Sequence, residues 1–217
     1  MKKYQHILFD LDGTLSDPKE GITKCVQYAL GKLGIVETDL DKLEPFIGPP
    51  LRDSFIEYYG LTEEEALKGI DFYRERFREI GKFENILYPE IPSLLQELKN
   101  SGKHLYVATS KPTVYSDEIL VHFNIRQYFD LVVGSNLDNT RAEKDEVIQY
   151  LLESLSPDLD KSDFVMIGDR KFDMIGAQKN GIDSIGVTYG YGSKDELEQA
   201  NATYIVDSIA QLKNILL

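Results

Sequence analysis

The stretch His6-Ile7-Leu8-Phe9-Asp10-Leu11-Asp12-Gly13-Thr14-Leu15 decides how the rest of the chain is read. Ile7 to Phe9 is a short apolar run of the kind a buried strand makes. It ends in a carboxylate, a leucine, a second carboxylate, then glycine and threonine. If strand geometry persists for two residues, side chains at i and i+2 leave the same side of the chain. Asp10 and Asp12 then sit roughly 7 Å apart by Cα, at ~3.3 Å per residue. Two like charges that close resist joint ionisation unless a cation sits among them. The spacing points either to a metal site or to a nucleophile with an acid/base partner. Gly13 lets a phosphate come close to the backbone.

Beyond this opening the chain changes character twice. In Ser16-Asp17-Pro18-Lys19-Glu20, Asp17 is a good N-cap, Pro18 suits a first helical turn and Glu20 completes a capping box. Ile22, Cys25, Val26, Ala29, Leu30 and Leu33 then recur at helical spacing up to Gly34. A short helix is expected over 39–46, a Gly48-Pro49-Pro50 loop, a helix over 51–59, and a long helix from the capping box at Thr62 and Glu65 to about Gly81. No strand is expected between Leu15 and about Tyr88, so a helical block interrupts the chain. Tyr58, Tyr59, Tyr73 and Phe77 read as core of that block, Cys25 as packing on its apolar stripe, and Lys19 and Lys24 as surface charges.

From Pro89 onward strands and helices alternate. Strands are expected at 104–108, 129–133, 163–167, 184–187 and 204–206, with helices at 89–100, 113–123, up to 154, up to 180 and 208–217. This alternation implies a parallel, doubly wound α/β sheet. The expected division is an α/β core of residues 1–15 and 86–217, with an inserted α-helical domain over 16–85.

Composition narrows the function. In 217 residues, 24 Lys and Arg face 37 Asp and Glu, a net charge of −13 with no basic run. A nucleic-acid footprint is therefore not expected, and an anionic substrate needs local cations to overcome the acidic field. The single Cys25 cannot pair within the chain, which fits a reducing cytoplasm. Met1-Lys2-Lys3 begins like a signal sequence, but only three apolar residues precede Asp10. No stretch approaches the ~20 apolar residues of a membrane span.

Ligands of open parallel sheets sit beyond the carboxyl ends of the strands. Asp10 and Asp12, Thr109, Lys144 and Asp169 all fall at such strand exits or helix entries. This set suits phosphoryl transfer through an aspartyl-phosphate. A carboxylate attacks phosphorus, a hard cation such as Mg²⁺ neutralises charge, and Lys144 and the Thr109 hydroxyl stabilise phosphoryl oxygens. A carboxylate at i+2 serves as acid and then base.

Asp10-Leu11-Asp12-Gly13-Thr14, Thr109-Ser110-Lys111-Pro112, Lys144 and Gly168-Asp169-Arg170-Lys171-Phe172-Asp173 resemble the four motifs of the haloacid dehalogenase superfamily. The resemblance covers nearly the whole chain and implies a Rossmann-like core with a helical cap that closes over the site. It implies Asp10 as nucleophile and Asp12 as general acid/base. It implies Mg²⁺ held by the Asp10 carboxylate, the Asp12 carbonyl and Asp169, with Asp173 supporting the ion's ligands. Thr109 and Lys144, rather than the nearby Lys111, would bind the phosphoryl group, together with Gly13, Thr14 and Ser110. Arg52, at the end of Ile47-Gly48-Pro49-Pro50-Leu51-Arg52, is the expected specificity residue. Arg170 is expected to form an ion pair or touch substrate, and Tyr189-Gly190-Tyr191-Gly192 to be a loop near the site.

Haloacid dehalogenases lack the second aspartate, so Asp12 argues for a phosphatase. The chain most resembles the phosphoglycolate-phosphatase-like branch; within it Thr14-Leu15-Ser16-Asp17-Pro18, Phe46-Ile47-Gly48-Pro49-Pro50-Leu51, Ala108-Thr109-Ser110-Lys111-Pro112 and Ile167-Gly168-Asp169-Arg170 resemble bacterial proteins described as 5′-nucleotidases. Phosphoglycolate phosphatase and a broad sugar-phosphate phosphatase follow. A β-phosphoglucomutase-like mutase, protein-tyrosine phosphorylation and a non-catalytic regulatory protein are more remote. A small phosphorylated metabolite is the expected partner, with no nucleic acid polymer and no membrane, in a monomer or homodimer.

Overall fold

Strand β1 (His6–Phe9) is buried along its whole length, as a run apolar on both faces must be when neighbours cover both sides. In the computed structural model, which describes residues 3–217, it lies between two parallel partners. Met1 and Lys2, read above with Lys3 against a signal sequence, lie outside the described residues.

The chain divides into two compact units, Met1–Asp17 with Leu87–Leu217, and Pro18–Ile86. The short strands β2 (Ser16–Asp17) and β3 (Ile86–Leu87) mark where it leaves the first unit and returns. They correct the expectation of no strand between Leu15 and Tyr88; two residues each is too short for a periodic signal.

The first unit is a six-stranded parallel sheet, ordered β5-β4-β1-β6-β7-β8. Helix α4 (Ile91–Asn100), with Ile91, Leu94, Leu95 and Leu98 buried, leads into β4 (His104–Pro112). Then follow α5 (Thr113–His122), β5 (Leu131–Ser135), α6 (Lys144–Glu153), β6 (Phe164–Gly168) and α7 (Lys171–Asn180). The chain ends with β7 (Asp183–Val187), α8 (Lys194–Gln199), β8 (Tyr204–Val206) and α9 (Ile209–Leu216). Under the central strands, Leu8, Tyr106 and Met166 pack on Val147, Ile148 and Leu151 of α6 and Ala177 of α7. Connections leave β1 toward β4 and leave β6 toward β7. The carboxyl ends of β1 and β6 therefore flank the crevice where such sheets bind ligands. Among the described residues no helix is long and apolar enough to cross a membrane.

The second unit is helical. Helix α1 (Lys19–Lys32) buries Ile22, Cys25, Val26, Ala29 and Leu30 and packs against α3 (Glu63–Glu79). A 3₁₀ segment (Leu40–Phe46), capped by the Asp39 side chain, and α2 (Leu51–Tyr59) complete it. Phe46 meets Phe55 edge-on at 5.1 Å, and Thr62 and Glu65 form the expected capping box. Arg76 clamps Glu84 through both terminal nitrogens, at 2.5 and 2.9 Å, and tethers the end of α3 to the returning chain. Tyr58 departs from the core expected of it: it is 42% exposed. Asp17 does not cap α1, whose N-cap position is held by Pro18 with no side-chain hydrogen bond. Its carboxylate instead accepts the Tyr191 hydroxyl, from far along the chain.

Candidate active site

β1 stops at Phe9, and the backbone turns at once: Leu15 and Ser16 both donate to the Leu11 carbonyl. Gly13 takes φ 78°, a left-handed conformation that favours glycine. Each carboxylate of the Asp10 and Asp12 pair meets its own ammonium. Asp10 Oδ1 lies 2.8 Å from Lys144 Nζ, and Asp12 Oδ2 lies 2.9 Å from Lys111 Nζ. All four side chains are buried.

Lys111 reaches Asp12 because β4 breaks register with β5 between Ala108 and Pro112. The disturbed stretch Thr109-Ser110-Lys111 still belongs to the strand but leaves the regular ladder. Gly134 of β5 makes room: a Cβ there would stand 2.1 Å from the Lys111 carbonyl. Thr109 is buried at the same exit, and its Oγ1 accepts the Lys111 N–H at 3.3 Å. Ser110 is half-buried.

Lys144 opens α6 and passes over Gly176 of α7, where a Cβ would come within 3.0 Å of its Cγ. Its ammonium donates to the Ala108 carbonyl at 3.1 Å and bridges Asp10 and Asp173, each at 2.8 Å. Burial alone would lower its pKa, but Asp10 and Asp173 overcome that and hold it well above an ordinary lysine.

Asp169 follows β6, and Asp173 lies in the first turn of α7. Asp10, Asp169 and Asp173 each present an oxygen, and these oxygens all lie within 4.8 Å of one another. Three negative carboxylates against one bridging ammonium leave two charges uncompensated. Asp169 Oδ2 accepts the Tyr191 N–H at 2.7 Å. Its Oδ1 is buried without a hydrogen-bond partner. Burial, then Asp173 and Asp10, push the Asp169 carboxyl well above the usual range. Burial likewise raises Asp173 to about 6, against the pull of Lys144. Burial also raises Asp12, against the pull of Lys111. An all-oxygen, dianionic cluster with an orphaned buried oxygen fits a hard divalent cation such as Mg²⁺.

The structure thus brings Asp10, Asp12, Thr109, Lys144, Asp169 and Asp173 together at the carboxyl rim of the sheet. Thr14 is buried there, its carbonyl accepting the Tyr189 hydroxyl at 3.0 Å. Arg170 forms an ion pair with Glu196 of α8 at 2.9 Å. Arg52, on the second unit, is exposed and paired with Asp53 and Glu63 at 3.0 and 3.1 Å. Two contributors went unread in the sequence, the Lys111 partnership with Asp12 and the Tyr191 N–H on Asp169.

Gly13 faces the cluster so closely that a Cβ would lie 2.2 Å from Asp169 Oδ2. Gly13→Ala combines that overlap with a disfavoured φ. It is expected to cost about 1–3 kcal/mol of stability and to displace Asp169. Thermal unfolding and calorimetric titration with Mg²⁺ measure the two effects; wild-type values for both would contradict the close approach.

The family model for haloacid dehalogenase-like hydrolases matches residues 7–187. A curated 5′-nucleotidase of Pseudomonas aeruginosa is 49% identical over 214 residues, covering 99% of this chain and 96% of that protein. The tyrosine-protein kinase PtkA of Mycobacterium tuberculosis is 35% identical, covering 93% of this chain and 68% of that protein. Among solved structures, a predicted phosphatase from Clostridium acetobutylicum superposes with a TM-score of 0.95 at 52% identity, over 98% of both chains.

Proposed function

Because the chain belongs to the haloacid dehalogenase-like hydrolase family and is a phosphatase of that family, we propose that it is a magnesium-dependent 5′-nucleotidase working through a phosphoaspartate at Asp10. The observation that carries the mechanism is the pairing of two buried carboxylates with separate ammonium groups beside a dianionic oxygen cluster. The likeness to the Pseudomonas 5′-nucleotidase over nearly all of both chains supports the substrate class.

Asp10, the Asp12 carbonyl and Asp169 would hold the ion, with Asp173 beside them. Bound there, Mg²⁺ supplies positive charge to the non-bridging phosphoryl oxygens and so lowers the barrier to attack by an anion. Asp10 Oδ attacks phosphorus, and the bond from phosphorus to the ester oxygen breaks. Asp12, whose burial favours the protonated carboxyl against the pull of Lys111, carries a proton to that oxygen, and the nucleoside leaves as an alcohol. The Asp12 carboxylate then takes a proton from water. The hydroxide attacks phosphorus, the Asp10–phosphorus bond breaks, and inorganic phosphate leaves. Lys144, the Thr109 and Ser110 hydroxyls and the backbone at Gly13 and Thr14 offset the phosphoryl charge in both steps. Lys111 holds Asp12 in place. In this reading Pro18–Ile86 is a specificity cap and Arg52 one of its substrate contacts.

A panel of nucleoside 5′-monophosphates, 2-phosphoglycolate and sugar phosphates, assayed with Mg²⁺, tests the substrate class. Nucleotides are expected to exceed the others in kcat/KM by about 10-fold or more, the scale that pocket contacts give. Equal rates across the panel would replace the reading with a broad phosphatase, and preference for 2-phosphoglycolate with a phosphoglycolate phosphatase. Labelled ATP in the same assay is expected to leave no label on protein tyrosine.

A further inference from the structure

The loop leaving β7 carries Tyr189-Gly190-Tyr191-Gly192, and the reaction above gives it no task. Two contacts of Tyr191 point in different directions. Its backbone N–H donates to Asp169 Oδ2 at 2.7 Å, and its hydroxyl donates to Asp17. Asp17 is the last residue of the first unit before the chain crosses to the second. One residue therefore touches both a carboxylate of the ion cluster and the point of crossing.

The loop is built for that close approach. A Cβ at 190 would stand 2.4 Å from the Gly13 carbonyl and 2.5 Å from Asp169 Cβ. A Cβ at 192 would overlap the Asp169 carbonyl at 1.8 Å. Glycine on both sides leaves the Tyr191 peptide without flanking side chains to hold it, so its neighbours' tethers must fix its orientation. Tyr189 supplies one: its hydroxyl donates to the Thr14 carbonyl at 3.0 Å, and its ring meets Tyr88 edge-on at 5.2 Å. Tyr88 in turn donates its N–H to the Leu15 carbonyl at 3.1 Å. The Tyr191 hydroxyl on Asp17 is the other, and the charge on its acceptor makes it the stronger kind of bond. Both passages of the chain, out through Thr14–Asp17 and back through Leu87–Tyr88, are thus tied to this loop.

The N–H on Oδ2 occupies one lone pair there and fixes the plane of the carboxylate, while buried Oδ1 has no hydrogen-bond partner. Groups that orient a ligand in this way set the affinity of a metal site. We propose that Tyr191 is a positioning residue for ion binding. Through its two bonds it transmits the placement of the crossing segment at Asp17 to Asp169, so that ion affinity depends on how that segment lies. This rests on the reading that Asp169 holds a divalent ion.

Calorimetric titration of the full chain with Mg²⁺, alongside thermal unfolding without the ion, tests it. Tyr191→Phe keeps the ring and the N–H and loses only the hydroxyl; Asp17→Ala removes the same bond from its other end. Each is expected to weaken Mg²⁺ binding by about 10-fold, the lower end of the cost of losing an outer partner of a metal site. The double variant is expected to be no weaker than either single one, since both break one link. Asp17→Asn, which can still accept the hydroxyl, is expected to retain most of the affinity. A role confined to folding would lower the ion-free unfolding temperature and leave affinity unmoved. Affinities within twofold of wild type in Tyr191→Phe and Asp17→Ala, or additive losses in the double variant, would overturn the proposal. If one single variant fails to fold, the affinity of the other decides. Absence of Mg²⁺ binding by the wild-type chain would instead remove the ion reading itself, and the coupling with it.

Discussion

Asp10→Asn is expected to abolish phosphatase turnover, by roughly 10⁴-fold or more, the scale seen when a covalent nucleophile is removed. The substitution is nearly isosteric, so the loop at Gly13 and the packing of β1 have no reason to change. What it removes is the anionic oxygen beside Lys144 at the rim. An amide oxygen is too weak a nucleophile to displace the ester oxygen, and the phosphoaspartate cannot form. The ion-free protein separates this loss from unfolding. Asp10, Asp169 and Asp173 crowd three carboxylates into one cluster with Lys144 between two of them. Neutralising Asp10 relieves repulsion on Asp169 while costing Lys144 one of its two ion pairs, so the ion-free unfolding temperature is not expected to fall steeply. Steady-state rates with a nucleoside monophosphate and thermal unfolding in chelator measure both. Retention of more than about 1% of wild-type kcat, a loss of under ~3 kcal/mol in barrier terms, would remove Asp10 as the nucleophile.

The acids at the rim were legible because they interrupt apolar runs. Asp10 after Ile7-Leu8-Phe9, and Asp169 after Val165-Met166-Ile167, break patterns that packing alone would continue. What was not legible is what tertiary contacts decide. The strand order that puts β1 beside β6, and so Asp10 beside Asp169, is a matter of pairing between strands more than 150 residues apart. The register break in β4 that swings Lys111 onto Asp12 depends on Gly134 of the neighbouring strand. Asp17 shows local chemistry outbid from a distance. Its sequence reads as a helix cap, yet its carboxylate serves Tyr191 across 174 positions. Helix α8 (Lys194–Gln199) escaped notice because Lys194-Asp195-Glu196-Leu197-Glu198-Gln199 has one apolar residue and therefore no period. Its Glu196 nonetheless holds Arg170 and the Lys171 N–H at the start of α7.

Stripping divalent ions with chelator is expected to remove activity completely and to change how stability depends on pH. The sign follows from the carboxyl groups of the cluster. Burial, the largest cause in each case, raises Asp169 and Asp173, the latter to about 6 against an unfolded value near 4. Asp12 is raised in the same direction by burial. A carboxyl whose folded pKa is raised binds more protons folded than unfolded throughout that window. Its contribution to stability is then fully present below the unfolded pKa and is lost as pH rises through the folded value. In chelator, the unfolding temperature is therefore expected to decline between about pH 4 and 6 from Asp173, with Asp169 and Asp12 acting in the same direction as pH rises above their unfolded values. An ion that prefers the ionised carboxylates must compete with protons for them, so binding releases protons and strengthens with pH. Millimolar Mg²⁺ should thus raise the unfolding temperature at pH 7.5 and have little effect at pH 5, with Asp169→Asn losing most of the ion's effect. Those two halves are linked: the same buried charge that burdens the ion-free fold at neutral pH is what makes the cluster attractive to a dication. An unfolding temperature indifferent to Mg²⁺ at pH 7.5, or full turnover in excess chelator, would show that the oxygens of Asp10, Asp169 and Asp173 are held together for some purpose other than an ion.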